Sequence, residues 1–296
     1  MLDFDVVVIG CGVAGMTAAL YLKRANANVC IIEKNAPGGQ LNMILDINNY
    51  PGFKSIDGPT LAFNMFEQIR ELNIPYKYAN VLEIINEKDK KVLKTNKGDI
   101  TCKGVIIANG RRPRELNIEG EKKLIGRGIS YCSICDGTLY KEKDVCVVGG
   151  GNSAFESALY LSEMCNKVYL IHRRDEFRGE KMSLEKIKNK NNIEIITNAR
   201  IKELIEEDDK LSGIKLDNGQ EINCSCVFVN VGNVPMPIKC EGLETDEGYI
   251  VVNSTMETNI DKIYACGDII KKTVYQISTA TGEGTVAAMS IMKDIN

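Results

Sequence analysis

A continuous apolar run, Val6 to Ile9, follows Asp5 and breaks into Gly10-Cys11-Gly12-Val13-Ala14-Gly15, after which apolar positions recur at helical spacing through Leu20 and Leu22. The change from a β-branched run to a helical period predicts strand, tight turn, helix. A second strand, Asn28 to Ile32, ends at Glu33. The same pattern returns much later. Val145 to Val148 leads into Gly149-Gly150-Gly151-Asn152-Ser153-Ala154, a helical stretch continues through Leu159 and Leu161, and a strand from Lys167 to Ile171 ends at His172. Glu33 stands 23 positions after Gly10, and His172 stands 23 positions after Gly149, so the chain carries two copies of one β-α-β unit.

The glycines of such a unit have separate tasks. The first permits the tight turn, the second lets a pyrophosphate approach the backbone, and the third position must be small for helix and strand to pack; Ala154 meets that last need. The helix N-terminus then offers N–H groups and its dipole to the phosphates. One loop of this kind is a weak signal that a structural glycine turn could also give, whereas two with matched spacing and different endings imply two dinucleotides. Glu33 offers a carboxylate to a ribose 2′-hydroxyl, as FAD or NAD requires, and would repel a 2′-phosphate. The second unit instead ends in His172-Arg173-Arg174, with Arg178 nearby, a cluster suited to a phosphate dianion. Alone, that cluster would read as an exposed basic turn; at the tip of a glycine-loop unit it reads as an NADPH phosphate site.

With 296 residues the chain exceeds one comfortable core, so two domains are expected. Apolar and charged fractions of 44% and 26% are those of an ordinary globular protein. A formal charge of -3 argues against a broad grip on nucleic acid, and Lys88, Lys90 and Lys91, or Lys186, Lys188 and Lys190, read as solvated faces. No apolar run approaches the roughly 18 residues of a membrane span, and the start at Met1-Leu2-Asp3 lacks the pattern of a signal peptide, so a cytoplasmic protein is expected. The 11 cysteines are scattered and odd in number, which is unlike a secreted disulfide framework. His172 is the sole histidine, so a multi-histidine metal site is excluded by inventory and no metal is expected.

One cysteine pair has redox spacing. Cys132-Ser133-Ile134-Cys135 places two sulfurs close on one turn, where they can cycle between dithiol and disulfide. Zinc ligation and simple packing are the rival readings. Zinc would need two further ligands, and Cys224-Ser225-Cys226 has strand-like spacing that favours packing. Asp136 follows Cys135 directly. It fits equally a hydrogen-bonded Asp-Gly turn or, if burial raises its pKa, the proton donor and acceptor for the thiolates.

In order along the whole chain, these motifs resemble the low-molecular-weight, bacterial-type thioredoxin reductases, class II of the pyridine nucleotide-disulfide oxidoreductases. Tyr131-Cys132-Ser133-Ile134-Cys135-Asp136-Gly137 is similar to that family's redox motif, and His172 to Arg178 to its NADPH motif. Gly38-Gly39-Gln40-Leu41 and Asn49-Tyr50-Pro51-Gly52 match its flavin-contacting loops, and Ile263-Tyr264-Ala265-Cys266-Gly267-Asp268 its second FAD motif. The resemblance implies an α/β fold of two Rossmann-like dinucleotide-binding domains (three-layer ββα), with an NADPH domain, residues 116–239, inserted into a discontinuous FAD domain, residues 1–115 and 240–296. Connections are expected near Arg112-Pro113-Arg114-Glu115 and Pro235-Met236-Pro237, where proline breaks regular structure. It adds Lys34, Val81, Ala108, Asn109, Gly110, Glu156, Val231, Gly232, Gln276 and Ile277 to the cofactor contacts. It also implies a homodimer without a C-terminal interface domain or an N-terminal thioredoxin-like extension, and thioredoxin or a thioredoxin-like protein as partner. Electrons would pass from NADPH through FAD to Cys135, Cys132 would attack the partner's disulfide, Asp136 would serve acid-base catalysis, and the NADPH domain would rotate between the two half-reactions.

Three positions depart from the family pattern. Asn109 stands where Thr or Ser is usual, Pro235-Met236-Pro237 replaces a more polar run, and Tyr275-Gln276 stands where Arg-Gln is general. Tyr275 keeps open a related flavoprotein with another electron partner, either a ferredoxin-linked disulfide reductase or an oxidase of small dithiols. A flavin-containing sensor is a third reading, in which the NADPH motif and the cysteine pair would be superfluous.

Overall fold

The computed structural model describes residues 2–44 and 46–295. It separates into two compact units: Met1–Arg112 with Pro235–Asn296, and between them Pro113–Val234. The chain thus leaves the first unit once and returns once, at proline on both occasions.

The first unit is built on a mixed sheet. Strands Val29–Glu33, Phe4–Ile9 and Gly98–Ile107 run parallel, with Val7 in register with Cys30 on one side and Val105 on the other. Tyr76–Tyr78 extends the sheet beyond Val29–Glu33, while Ile263–Ala265 pairs in parallel with the C-terminal half of Gly98–Ile107. Val81–Asn86 and Lys91–Thr95 add an antiparallel flank. Side chains on a strand alternate between faces, and here both faces are buried. Val6, Val8 and Ile31 pack with Met16, Leu22, Ala287 and Ile291, from helices Val13–Arg24 and Ile277–Ile295. Val7, Ile9, Cys30 and Ile32 face the opposite way, into a core with Leu93, Ile107, Ile263 and Ile269. The two helices pack closely because Gly284 has no side chain: a Cβ there would lie 2.4 Å from the Ala14 carbonyl oxygen.

The second unit has a five-stranded parallel sheet in the order Ile193–Ile196, Lys167–Ile171, Asp144–Gly149, Cys226–Asn230, Ile129–Ser130. Helix Asn152–Ser162 covers one face through Ala154, Phe155, Ala158 and Leu161. The antiparallel strands Ile201–Glu207, Lys210–Leu216 and Glu221–Asn223 supply Ile214, Leu216 and Ile222 to the core on the other face. Both units are therefore α/β and Rossmann-like. At the base of the second unit Arg114 N donates to Gly232 O at 2.9 Å, which holds the two chain crossings side by side.

Candidate active site

In the first unit, four parallel strands deliver their following loops to one sheet edge, because parallel strands share the direction of their C-terminal ends. Gly10, at φ 106°, makes the turn after Phe4–Ile9, and a Cβ on it would lie 2.4 Å from the Ala108 carbonyl oxygen. At Gly15 a Cβ would lie 1.9 Å from Gly10 O, so the third position is closed to any side chain. Gly12 is different: nothing lies within 4 Å of its missing Cβ. Val13 and Ala14 begin the helix behind it. Glu33 braces the loop with both carboxylate oxygens, accepting Cys11 N at 2.9 Å and Asn35 N at 2.8 Å. Burial pushes the Cys11 thiol up to about 12, so this cysteine is a packing residue of the turn.

Of the other first-unit candidates, Gln40 meets Asp268, on the loop after Ile263–Ala265. Its Oδ2 accepts from Gln40 Nε2 at 3.1 Å and from Arg111 at 2.8 Å. Gln40 and buried Leu41 belong to the short 3-10 turn Gly39–Met43, entered through left-handed Gly38. Gly267 N donates to Glu283 Oε2 at 2.9 Å, and Lys272 donates to both oxygens of the same carboxylate, at 3.0 and 2.8 Å. Burial holds the Glu283 carboxyl above its usual range, against the opposing pull of Lys272. Ala108, Asn109 and left-handed Gly110 follow Gly98–Ile107, and Asn109 Nδ2 donates to Met236 O at 2.6 Å. Asn49 and Gln276 are exposed and meet at 3.4 Å. Lys34 is exposed, Val81 is buried at the start of its strand, and Ile277 opens the last helix. Arg111 was not legible as a member of this set, since its carboxylate partner lies 157 positions away.

In the second unit the same logic brings four loops to one sheet edge: Gly149–Ser153, His172–Arg178, Tyr131–Asp136, and Val231 with Gly232. Gly151, like Gly12, has nothing within 4 Å of its missing Cβ. Arg173, Arg174 and Arg178 are exposed, as are Asn152, Ser153 and Glu156 on the helix below. His172 is set apart from its neighbours: it is 7% exposed and stacks on Phe177 with ring centroids 4.9 Å apart. A Cβ on Gly150 would lie 2.3 Å from the His172 ring, so the imidazole fills the space that Gly150 leaves. Burial, and then the neighbouring arginines, hold its pKa below the ordinary histidine value against the hydrogen bond to Glu176 O. Gly150 O accepts from Arg178 N at 2.8 Å and Gly179 N at 3.1 Å, and Asn152 Oδ1 accepts from Glu180 N at 2.8 Å. The arginine loop and the glycine loop are thereby fastened together.

Cys132 and Cys135 form a disulfide, with Cα atoms 5.3 Å apart, across the single turn Ser133–Asp136. Cys135 is exposed and Cys132 half-buried. Ser130 Oγ organises the turn: it accepts from Cys132 N at 3.0 Å and donates to Asp136 Oδ2 at 2.7 Å. Ser133 and Ser157, both buried, hydrogen-bond at 3.0 Å and fix the turn to helix Asn152–Ser162. The remaining nine cysteines are free, eight of them buried, and the described residues hold no cluster of three or more His, Cys, Asp or Glu able to bind a metal.

Two nucleotide-type loops together with a disulfide on an exposed turn define an oxidoreductase acting on a sulfur group. The sequence matches the family described as "Pyridine nucleotide-disulphide oxidoreductase" over residues 4–284, and the chain belongs to that family. A curated thioredoxin reductase of Bacillus subtilis is 40% identical over 97% of this chain and 93% of its own. One from Mycoplasma pneumoniae is 39% identical, over 97% and 94%. Among solved structures, the thioredoxin reductase of Lactococcus lactis matches with a TM-score of 0.92 and 35% identity over 99% of both chains. A ferredoxin-flavin thioredoxin reductase from Clostridium acetobutylicum reaches 0.55 and 32% identity, over 98% of this chain and 97% of its own.

Proposed function

We propose that the protein is an NADPH-dependent flavoprotein disulfide reductase that passes electrons to the disulfide of thioredoxin or a thioredoxin-like protein. The carrying observation is the Cys132–Cys135 disulfide on the same sheet edge as the Gly149–Gly151 loop and its arginines. The residues fit the two cofactors on a physical test. Gly12 and Gly151 leave open space against the backbone where a diphosphate would approach, and Asn109 Oδ1, Arg111 Nε and Asn230 Oδ1 are buried without a hydrogen-bond partner. Glu33, Asp268, Gln40 and the Gly10–Gly15 loop would hold FAD; Gly149–Ser153 with Arg173, Arg174 and Arg178 would hold NADPH. When bound, the flavin accepts a hydride from the nicotinamide and supplies an electron pair to sulfur.

The chain's own chemistry follows from the geometry of the turn. An electron pair entering at exposed Cys135 breaks the Cys132–Cys135 bond and releases Cys132 as a thiolate. That thiolate attacks one sulfur of the partner's disulfide, giving a mixed disulfide and releasing the other sulfur as a thiolate. Cys135 then attacks Cys132, which frees the reduced partner and restores the internal disulfide. Asp136, held by Ser130, carries the protons between the thiols and solvent. Among the described residues no helix is long and apolar enough to cross a membrane, and nine unpaired thiols suit a reducing cytoplasm. A homodimer remains part of the proposal on family grounds.

Anaerobic titration of the purified protein with NADPH, followed by a thioredoxin, tests this reading. Flavin absorbance should bleach and then recover. Cys135→Ser should still bleach while losing nearly all protein-disulfide reduction, because Ser cannot form the mixed disulfide. Cys132→Ser should block turnover equally and leave Cys135 as a lone thiol, able to give a long-wavelength charge-transfer band. Near-normal turnover in Cys135→Ser would overturn the mechanism, and bleaching by reduced ferredoxin but not by NADPH would transfer the reading to the ferredoxin-linked alternative.

A further inference from the structure

Arg111 is held on two sides, yet one of its donors is left over. Its guanidinium donates to Asp268 Oδ2 at 2.8 Å, and its central carbon lies 4.0 Å from the centroid of the Tyr275 ring. Tyr275 in turn leans on Tyr249, with centroids 5.9 Å apart, and carries Lys272 Nζ 5.3 Å from its own centroid. Lys272 reaches Asp268 Oδ1 only at 3.7 Å, being committed to Glu283. Two cations and two carboxylates so interleave, with an aromatic face behind them. Arg111 Nε, however, is buried without a partner, and so is Asn109 Oδ1 two residues earlier in the same loop. A buried donor and a buried acceptor left open two residues apart are a cost that folding alone does not explain, since a solvated guanidinium would have every N–H paired with water. A ligand that presents both an acceptor and a donor would relieve both.

We propose that Arg111, seated on Tyr275, is a ligand-binding residue of the first unit, whose Nε–H meets an oxygen acceptor in the ribityl-diphosphate stretch of FAD. Asn109 Oδ1 accepts from a hydroxyl of the same stretch. This rests on the reading of the first unit as the FAD site. Tyr275 is the positioning residue: its ring is a flat platform for the guanidinium, and its hydroxyl has no part in binding. The departure from the family's Arg-Gln pattern is then a relocation of positive charge. The cation comes from the first residue of strand Arg111–Pro113, and position 275 supplies the surface beneath it.

The test is the rate of FAD release from the holoenzyme, followed as the rise in flavin fluorescence on dilution, with melting temperature measured alongside. Arg111→Lys keeps a charge for Asp268 but has no Nε–H, and should speed release by roughly 10- to 150-fold, the range for one charge-assisted hydrogen bond. Arg111→Met should do at least as much. Tyr275→Phe should release FAD at a rate near that of wild type, whereas Tyr275→Ala should speed release several-fold. Arg111→Met combined with Tyr275→Arg should recover part of the loss, and Tyr275→Arg alone should not improve retention, because two guanidiniums would then compete for one carboxylate. Normal FAD release in Arg111→Lys and Arg111→Met, whether or not melting temperature falls, would reduce Arg111 to a structural partner of Asp268 and overturn the proposal. Faster release in Tyr275→Phe would overturn the platform role by giving the hydroxyl one. Wild-type protein that neither carries FAD nor takes it up would fail the cofactor reading itself, a result distinct from any of these.

Discussion

A single methyl group separates the glycines that serve the fold from those that serve a ligand. At Gly15 the methyl would meet Gly10 O at 1.9 Å, so Gly15→Ala should unfold the turn; at Gly12 and Gly151 it would meet nothing within 4 Å. Both of the latter have negative φ, -83° and -111°, which alanine adopts freely. Gly12→Ala should therefore strip FAD from the purified protein while leaving the stability of the flavin-free form within about 1 kcal/mol of flavin-free wild type, and Gly151→Ala should weaken NADPH binding alone at unchanged stability. Circular dichroism melts with flavin content and NADPH titration check both. Arg173→Ala and Arg174→Ala should weaken NADPH by roughly 10- to 150-fold and leave NADH nearly unchanged, as each removes a charge-assisted bond to the 2′-phosphate. Equal losses for both coenzymes would mean that these exposed side chains act elsewhere. The glycines and the cysteine pair were legible because turn geometry and redox spacing are local properties of sequence. Arg111 was not, because its meaning comes from Asp268 and Tyr275, which reach it only through the pairing of Ile263–Ala265 with Gly98–Ile107.

At the scale of an element, the segment His172–Gly179 illustrates what a basic motif conceals. As a sequence it reads as one exposed patch. In the fold its first residue turns inward beneath Gly150 and its arginines turn outward, so the imidazole shapes the loop and the guanidiniums face solvent. Because the folded protein holds His172 below the ordinary histidine pKa, the unfolded chain binds the proton more readily. The stability this neutral ring contributes is complete above about pH 6.5 and is lost as the pH falls through the lower folded value. Melting temperature should thus drop more between pH 7.5 and pH 5 for wild type than for His172→Phe, which keeps a ring against Phe177 but cannot titrate. Parallel decline of the two would show that His172 is protonated in the fold without penalty. The strands around this loop were readable from periodicity to within about two residues, Asp144–Gly149 for Val145 to Val148 and Lys167–Ile171 as expected. The antiparallel layer from Ile201 to Asn223 carried no such motif, and its position over the sheet is set by core packing at Ile214 and Leu216.

For the molecule as a whole, the crossings at Arg112–Pro113 and Val234–Pro235 divide every hydrophobic core cleanly between the two units. Prolines marked these crossings in the sequence, although the family-based boundaries at 115/116 and 239/240 lie a few residues beyond them. A fragment spanning residues 113–234 contains its own two cores and adjoining ends, and should fold alone, bind NADPH, form the Cys132–Cys135 bond and carry no flavin; a fragment that stays unfolded would show that the division is one of contacts only. The buried thiols have a consequence of their own. Cys11, Cys30 and Cys102 are each pushed up to about 12 by burial, and Cys266 and Cys226 higher still, so at neutral pH none of them offers a thiolate to an electrophile. A maleimide added to the native protein should therefore label at most half-buried Cys240, and that slowly, before reduction, add two rapid adducts at Cys132 and Cys135 after it, and reach all 11 cysteines in denaturant with reductant. Intact-protein mass spectra read the count directly, and more than three adducts on reduced native protein would reveal cores that open on the labelling timescale.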